Sequence, residues 1–181
     1  MDHRIKASCR PLRRRATGFT MIELLMTIIL VAVLSAIAAP AMREFNVRAN
    51  VNTTTNDIVV ALNLARSEAV KRGRLVSVVA NGADWSSGWT VQADDGTVIS
   101  ERAAVLPDYR VLGAATGPGA PADRVVFTGT GALSVATAWD FSICRPSFAP
   151  GNADSRRVIV TATGSIRSRR DTTGAPAGAC A

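Results

Sequence analysis

A long apolar run close to the N-terminus constrains this chain more than any other feature. It extends from Phe19 to Ala39 and reads FTMIELLMTIILVAVLSAIAA, and three residues separate it from three consecutive arginines at 13–15. As a helix with a rise of about 1.5 Å per residue, the run spans roughly 30 Å, the hydrocarbon thickness of a bilayer. Because cationic residues stay on the cytoplasmic side, the sequence predicts a cytoplasmic N-terminus, a single membrane span and an exported C-terminal part.

The distribution of charge agrees with that topology and argues against a general nucleic-acid-binding surface. The formal net charge is +7, yet residues 1–18 hold six basic residues and one acidic residue. The remaining chain has fifteen basic and thirteen acidic residues. Only the segment 145–181 is locally basic, with six basic residues against two acidic ones.

Two residues, one inside the run and one just after it, depart from a simple apolar helix. Glu23 lies five residues into the run, where an uncompensated carboxylate costs several kcal/mol. We expect it to have a cationic partner; the alternative is that it reaches the membrane interface from near the helix end. Pro40 follows the run, and because proline removes a helix hydrogen bond, we expect a kink there.

Catalytic chemistry has little support in the sequence. The single histidine, His3, lies in the basic N-terminal segment, and no metal-binding or nucleophile motif replaces it. The sequence therefore predicts no catalytic residue, no cofactor, no metal site and no enzyme activity. Apart from Cys9 in the basic segment, the cysteines are Cys144 and Cys180. In an exported protein this pair predicts a disulfide; two unpaired thiols are the alternative.

The rest of the chain predicts an α+β fold, in which a long N-terminal helix packs on antiparallel strands. Apolar residues recur with a helical period at 58, 62, 65 and 69, and Gly73 follows two cations as a helix stop. A single helix over 19–72 is predicted, although the Thr-rich stretch 52–57 weakens the pattern. The predicted strands are Leu75–Ala80, Gly88–Ala93, Thr97–Arg102, Arg110–Leu112, Arg124–Thr128, Ala138–Cys144, Arg157–Thr163 and Ile166–Arg169.

The string GFTMIELL at 18–25, which joins the basic segment to the apolar run, resembles the leader-cleavage signal of type IV pilins and type II secretion pseudopilins. This resemblance implies cleavage by a prepilin peptidase between Gly18 and Phe19, followed by N-methylation of Phe19. It also implies that Glu23 sets the axial position of the subunit by pairing with a Phe19 ammonium, its own or a neighbour's. Pro40 falls where pilins carry a kink-forming proline.

Four further strings narrow the resemblance: ARSEAVKRG at 65–73, SGW at 87–89, VF followed by glycine at 126–131, and RVIV followed by glycine at 157–164. Together they are similar to minor pilins and pseudopilins of the FimT/FimU/GspH type. The implied parts are a cleaved leader (1–18), a transmembrane helix (19–39), its amphipathic continuation (40–73) and a β-rich head (74–181).

The resemblance implies a structural role in the bacterial inner membrane, with the head in the periplasm, and then in a pilus or pseudopilus. The first expectation is a minor pilin that assembles or primes a type IV pilus together with other major and minor pilins. The alternatives are a GspH-like pseudopilin of type II secretion, which partners other pseudopilins, and a DNA-binding minor pilin used in natural transformation.

The DNA hypothesis rests on the basic C-terminal region. FimT-like minor pilins include DNA-binding members, in which a Gly-Arg-x-Arg loop is implicated. Here the same place reads Gly-Ser-Ile-Arg at 164–167, so the first arginine is missing. The candidate contacts for double-stranded DNA are Arg156, Arg157, Arg167, Arg169 and Arg170. The alternative is a solvated hairpin whose arginines pair with Asp154 and Asp171.

Overall fold

The computed structural model describes residues 18–116, 122–135, 137–145 and 155–170 of the 181-residue chain. It contains one long helix, α1, a short 3-10 helix and eight strands. The helices are α1 (Met21–Arg72) and the 3-10 helix (Trp85–Ser87). The strands are β1 (Val76–Ala80), β2 (Trp89–Ala93), β3 (Val98–Arg102), β4 (Arg110–Ala115), β5 (Arg124–Phe127), β6 (Trp139–Cys144), β7 (Arg156–Val160) and β8 (Ile166–Arg170).

Helix α1 confirms the predicted long helix. It ends after Lys71 and Arg72, and Gly73 then adopts a φ of +63°, a conformation that glycine reaches without steric cost. The Thr-rich stretch does not interrupt the helix. The Thr55 hydroxyl donates to the carbonyl of Val51 at 2.7 Å, so its polar group is satisfied within the buried face of the helix.

The chain divides into two compact units, one up to Met42 and one from Arg43 onward. In the first unit, the window Met21–Ala38 is long and apolar enough to cross a membrane, with a mean hydropathy of 2.5. Its large apolar side chains are exposed, as a membrane-facing or helix-facing surface requires.

The second unit contains both sheets and the C-terminal half of α1. One sheet has the strand order β3-β2-β1-β5 and the other has the order β4-β6-β7-β8. Every strand pair in both sheets is antiparallel. The α+β prediction, a helix packed on an antiparallel head, is therefore confirmed.

The core lies between one face of α1 and both sheets. Ile58, Leu62, Ala65 and Ala69 of α1 are buried in the same apolar cluster as side chains of both sheets. The three tryptophans, predicted to be core residues, are all buried: Trp85, Trp89 and Trp139. Burial of such large apolar side chains stabilises the head.

Every predicted strand differs from the observed one at one end or both, and two of these ends differ by three residues. Strand β4 continues to Ala115 because its whole length pairs with β6. Strand β7 stops at Val160 because the chain turns immediately afterwards. The Gly164 amide donates to the Thr161 carbonyl at 2.8 Å, and Gly164 has a φ of +79°. This turn joins β7 to β8.

Candidate functional site

The predicted cleavage junction lies just before the first turn of α1. Gly18 and Phe19 precede the helix and both are exposed. Glu23 falls in the first turn, where the positive end of the helix dipole favours a carboxylate. The arginine cluster that precedes the junction lies outside the described residues.

Thr20 has a capping role that the sequence reasoning missed. The amide of Glu23 donates to Thr20 Oγ1 at 3.2 Å, so the threonine hydroxyl satisfies one of the free amides at the start of α1. The signal was present in the sequence, because Thr20 and Glu23 have the Thr-x-x-Glu spacing of a capping box. Glu23 therefore takes part in the N-terminal capping of α1, in addition to the role in assembly that the sequence predicts.

The structure describes only some of the residues behind two further predictions, the helix kink and the disulfide. Pro40 lies within α1, and the predicted kink there stays a prediction. Cys144 is the last residue of β6 and is buried. Its predicted partner, Cys180, lies outside the described residues, so the disulfide also stays a prediction.

The C-terminal candidates lie on a basic hairpin, which we define as β7, the turn and β8 (residues 156–170). Its register places Arg156 directly opposite Arg170, and Arg157 directly opposite Arg169. Because side chains alternate between the faces of a strand, the two arginine pairs point to opposite sides of the sheet. The sequence presents one basic cluster, whereas the hairpin contains two.

One pair lies on the helix face of the hairpin, the side of the buried Val158 and Val160. There Arg156 Nε donates to Asn52 Oδ1 of α1 at 2.9 Å. Arg170, opposite Arg156, is exposed at the same end of the sheet. These two guanidinium groups therefore lie beside α1.

The other pair lies on the outer face, together with Arg167. Arg157 forms an ion pair inside the head. Its Nε donates to Asp140 Oδ1 of β6 at 2.7 Å, and both side chains are largely buried. Arg167 and Arg169 are exposed, and within the described part of the chain neither forms an ion pair. Asp154 and Asp171, the suggested partners of the hairpin arginines, lie outside the described residues.

The described residues offer little to a metal or a small organic ligand. Among them, no group of three or more His, Cys, Asp or Glu side chains could hold a metal ion. A groove of about 630 Å³ lies between α1 and the loop before β4. Four of its polar side chains contact one another in pairs: Asn50 Nδ2 donates to the Tyr109 hydroxyl at 3.1 Å, and Arg145 pairs with Asp108 at 2.8 Å.

The head matches the family of type II transport protein GspH over residues 54–164, more than half of the chain. The chain belongs to the GspH family. A second match, to the prokaryotic N-terminal methylation motif, covers residues 13–39. The two matches fall on the head and on the apolar helix. They identify the protein as a minor pilin or pseudopilin of the FimT/FimU/GspH type.

Solved structures share the pilin fold. The type IV minor pilin FimU of Pseudomonas aeruginosa is 21% identical, with a TM-score of 0.57, covering 69% of this chain and 92% of that one. A second crystal form of FimU gives 23% identity and a TM-score of 0.51 over 65% and 91% of the two chains. The minor pseudopilin EpsH of the Vibrio cholerae type 2 secretion system is 15% identical, with a TM-score of 0.51 over 67% and 97%. No curated protein sequence matches the chain.

In this GspH-family head, three of the characteristic strings meet at one junction. Arg66 Nε of α1 donates to the carbonyl of Gly131 at 3.0 Å. A Cβ built on Gly164 would lie 1.9 Å from that same carbonyl oxygen. Arg66 therefore binds the carbonyl of Gly131, and the lack of a side chain at Gly164 lets the turn of the basic hairpin lie against that carbonyl, which gives a physical reason for an arginine and two glycines at these positions.

Proposed function

We propose that this protein is a minor pilin of a type IV pilus. It would be held in the inner membrane by Met21–Ala38, with its N-terminus in the cytoplasm and its head in the periplasm. Prepilin peptidase would cut between Gly18 and Phe19, Phe19 would be N-methylated, and the subunit would then enter the filament. The observation that carries this proposal is the match of residues 13–39 to the methylation motif, with an exposed Gly18–Phe19 junction at the start of an exposed apolar helix.

Assembly would depend on the carboxylate of Glu23. In a filament the apolar helices pack together, and a buried carboxylate without a cation is costly, whereas pairing with a Phe19 ammonium offsets that cost. Where the Phe19 ammonium belongs to a neighbouring subunit, only the correct axial position of the two subunits brings these charges together. The pair would thus select one arrangement of neighbouring helices.

The test follows processing and filament entry of full-length variants in the native host. Glu23→Ala should still be cleaved but be absent from sheared filaments. Glu44→Ala is the matched control, because Glu44 is exposed on the same helix beyond the apolar window and forms an ion pair with Arg48 at 3.5 Å. Thr20→Ala removes the helix cap and leaves the charge intact. Normal filament entry of Glu23→Ala, or equal loss in Thr20→Ala, would refute the charge-pairing account.

A pseudopilin role in type II secretion is the second candidate. The family match and the likeness to EpsH favour it, and processing would be the same. Deleting the gene in the native host separates the two roles. Loss of surface pili with normal secretion of exoproteins supports the pilus assignment, and the reverse result supports the pseudopilin assignment.

Binding of double-stranded DNA is a third candidate, supported by two exposed arginines, Arg167 and Arg169, on the outer face of the hairpin. The test is DNA affinity of the full chain in neutral detergent across a salt series. Each phosphate contact contributes about −0.9 to the slope of the logarithm of the DNA-binding constant against the logarithm of the salt concentration. The double variant Arg167→Gln/Arg169→Gln should therefore reduce the magnitude of this slope by about 2. Arg110→Gln/Arg124→Gln, a pair of exposed strand arginines elsewhere, is the control. Equal effects of the two double variants would reject a specific DNA surface.

We also propose that Cys144 and Cys180 form a disulfide that ties the C-terminal segment to the end of β6. The intact mass of the non-reduced protein should then lie about two mass units below that of the reduced protein. Serine substitution at either position should abolish the difference. Alkylation of both thiols without prior reduction would reject the pairing.

A further inference from the structure

One outward face of α1, near its C-terminal end, carries a single charged side chain. We call it the Arg66 face, since positions three, four or seven residues apart share one side of a helix. None of its residues is fully buried and none is acidic: Val59, Val60, Asn63, Arg66, Ser67 and Val70. Val60 and Val70 are 64% and 53% exposed, so exposed apolar surface lies before and after Arg66 along the helix. The nearest acid along the helix, Glu68, already binds two cations.

The guanidinium of Arg66 is held in place but is not neutralised. Its Nε donates to the Gly131 carbonyl at 3.0 Å, and the residue is half-buried. In the part of the chain that the structure describes, Arg66 forms no ion pair, and its two terminal amino groups donate no hydrogen bond. Arg66, Gly131 and Gly164 all lie inside the described ranges, together with the residues next to them in sequence. The edge of the guanidinium that remains open carries two parallel N–H donors, which match the two oxygens of a carboxylate.

Two turns of matching sequence fix the position of this group. They are residues 128–131, TGTG, and residues 161–164, TATG. In each turn the last glycine has a φ of +79°, and its amide donates to the carbonyl of the first threonine at 2.8 Å. The two threonine hydroxyls of each turn are hydrogen-bonded to each other, at 2.8 Å and 2.9 Å. Because these bonds close the backbone around Arg66, its guanidinium loses little further freedom when it binds a partner.

We propose that the Arg66 face binds the head of a different pilin-type subunit, and that an aspartate or glutamate of that subunit pairs with Arg66. The inference rests on the proposed function, because it requires the chain to assemble with other subunits. An arginine flanked by exposed apolar side chains matches the composition of protein–protein interfaces, in which arginine is a frequent central residue. Covering the face excludes water, and charge pairing is stronger where water is excluded. DNA fits this face less well, because its backbone is bound by several cations together and the face has one.

The test is photo-cross-linking in the native host, with the photoreactive p-benzoyl-phenylalanine in place of Val70 in the full chain. Val70 lies next to Arg66, because a Cβ built on Gly131 would be 3.1 Å from Val70 Cγ2 and 3.2 Å from Arg66 Nε. We expect a cross-link to a different pilin-type subunit, on a peptide that contains Asp or Glu. The same probe in place of Val98 on β3, which is 57% exposed, is the positional control. An identical product from both positions would mean that no particular face is recognised, and would overturn the inference.

Two variants at Asn63 separate charge pairing from folding. Asn63 is exposed on the Arg66 face, three residues before Arg66, where a glutamate can pair with the arginine along the helix. Asn63→Glu should therefore reduce the Val70 cross-link by about fivefold or more, because it competes with the carboxylate of the partner. Asn63→Gln, which has the same size but no charge, should keep the cross-link. Both variants replace the same exposed side chain, whose Nδ2 donates to the Val59 carbonyl at 2.9 Å, so they share any structural cost.

Cleavage after Gly18 and presence in sheared filaments are scored on the same samples, so that the two proposals can fail separately. A chain that is cleaved and enters filaments, yet gives no cross-link from Val70 to a different pilin-type subunit, overturns this inference and leaves the proposed function standing. Equal effects of Asn63→Glu and Asn63→Gln, or a product that contains only DNA or a second copy of this chain, overturn it in the same way. A chain that is neither cleaved nor found in filaments overturns both.

Discussion

Replacing Gly164 with alanine tests whether the junction between α1 and the basic hairpin holds the head together. Gly164 has a φ of +79°, and its Cα faces the carbonyl of Gly131, which accepts the hydrogen bond from Arg66. A Cβ at Gly164 would lie 1.9 Å from that oxygen, far inside any allowed contact. The backbone of one of the two turns must therefore shift, and the bond to Arg66 must lengthen or break.

The magnitude follows from three contributions. A left-handed conformation costs a non-glycine residue about 1–2 kcal/mol, partly offset by the lower entropy of an alanine in the unfolded chain. Overpacking against a backbone that cannot yield adds about 1–3 kcal/mol. Weakening of a charged hydrogen bond adds about 1.5 kcal/mol or more. We therefore expect Gly164→Ala to lower the free energy of unfolding by about 4 kcal/mol, which lowers Tm by about 10 °C or more.

The assay is thermal unfolding of the full chain in neutral detergent, followed by tryptophan fluorescence because all three tryptophans lie in the head core. Gly96→Ala is the matched control. Gly96 has a similar φ of +83°, but nothing lies within 4 Å of a Cβ built on it. The control should lose only about 1 kcal/mol, the conformational cost alone. Equal destabilisation by the two variants would show that contact with Gly131 contributes nothing, and would refute the reasoning.

Two further predictions concern ion pairs. Asp140→Asn leaves the largely buried Arg157 without its carboxylate, so it should lower the free energy of unfolding by about 3–5 kcal/mol, measured by thermal or urea unfolding. The same change at the exposed Asp123 should lower it by about 1 kcal/mol or less. Similar losses in the two variants would contradict the role of burial. The hydrogen bond from Arg72 lowers the pKa of Glu68, so the stabilisation by Glu68 is present above the ordinary pKa of a glutamate and is lost as the pH falls through the lowered value. The difference in Tm between wild type and Glu68→Gln should therefore shrink from pH 7 to pH 3, and a constant difference would argue against the linkage.

The fold was predictable where local signals agreed. The helical period of apolar residues predicts the course of α1, and the glycine at position 73 predicts its end. Both signals depend only on residues close together in the sequence. The strand boundaries were less secure. Strand β7 ends three residues early because the position of the turn depends on the contact of Gly164 with Gly131, a residue distant in sequence and brought close only by folding.

The candidate site was predictable in composition but not in arrangement. A sequence shows that arginines are dense between 156 and 170, yet which face each one occupies depends on the register of β7 against β8. A shift of one residue would exchange the two faces completely. The pairing of Arg157 with Asp140 and of Arg156 with Asn52 likewise depends on neighbours in other elements, which no local pattern reveals.

This arrangement changes how experiments on the basic region should be read. A variant that replaces Arg167, Arg169 and Arg170 together removes charge from both faces of the hairpin, so a loss of binding would not identify the surface involved. Replacing Arg167 and Arg169 removes charge from the outer face of the hairpin alone, whereas replacing Arg156 and Arg170 removes charge from its helix face alone. Since the two variants change the net charge by the same amount, general electrostatic attraction should affect both equally. A difference between them can therefore be assigned to one face, and a loss of DNA binding in Arg167→Gln/Arg169→Gln alone would assign the DNA contact to the outer face.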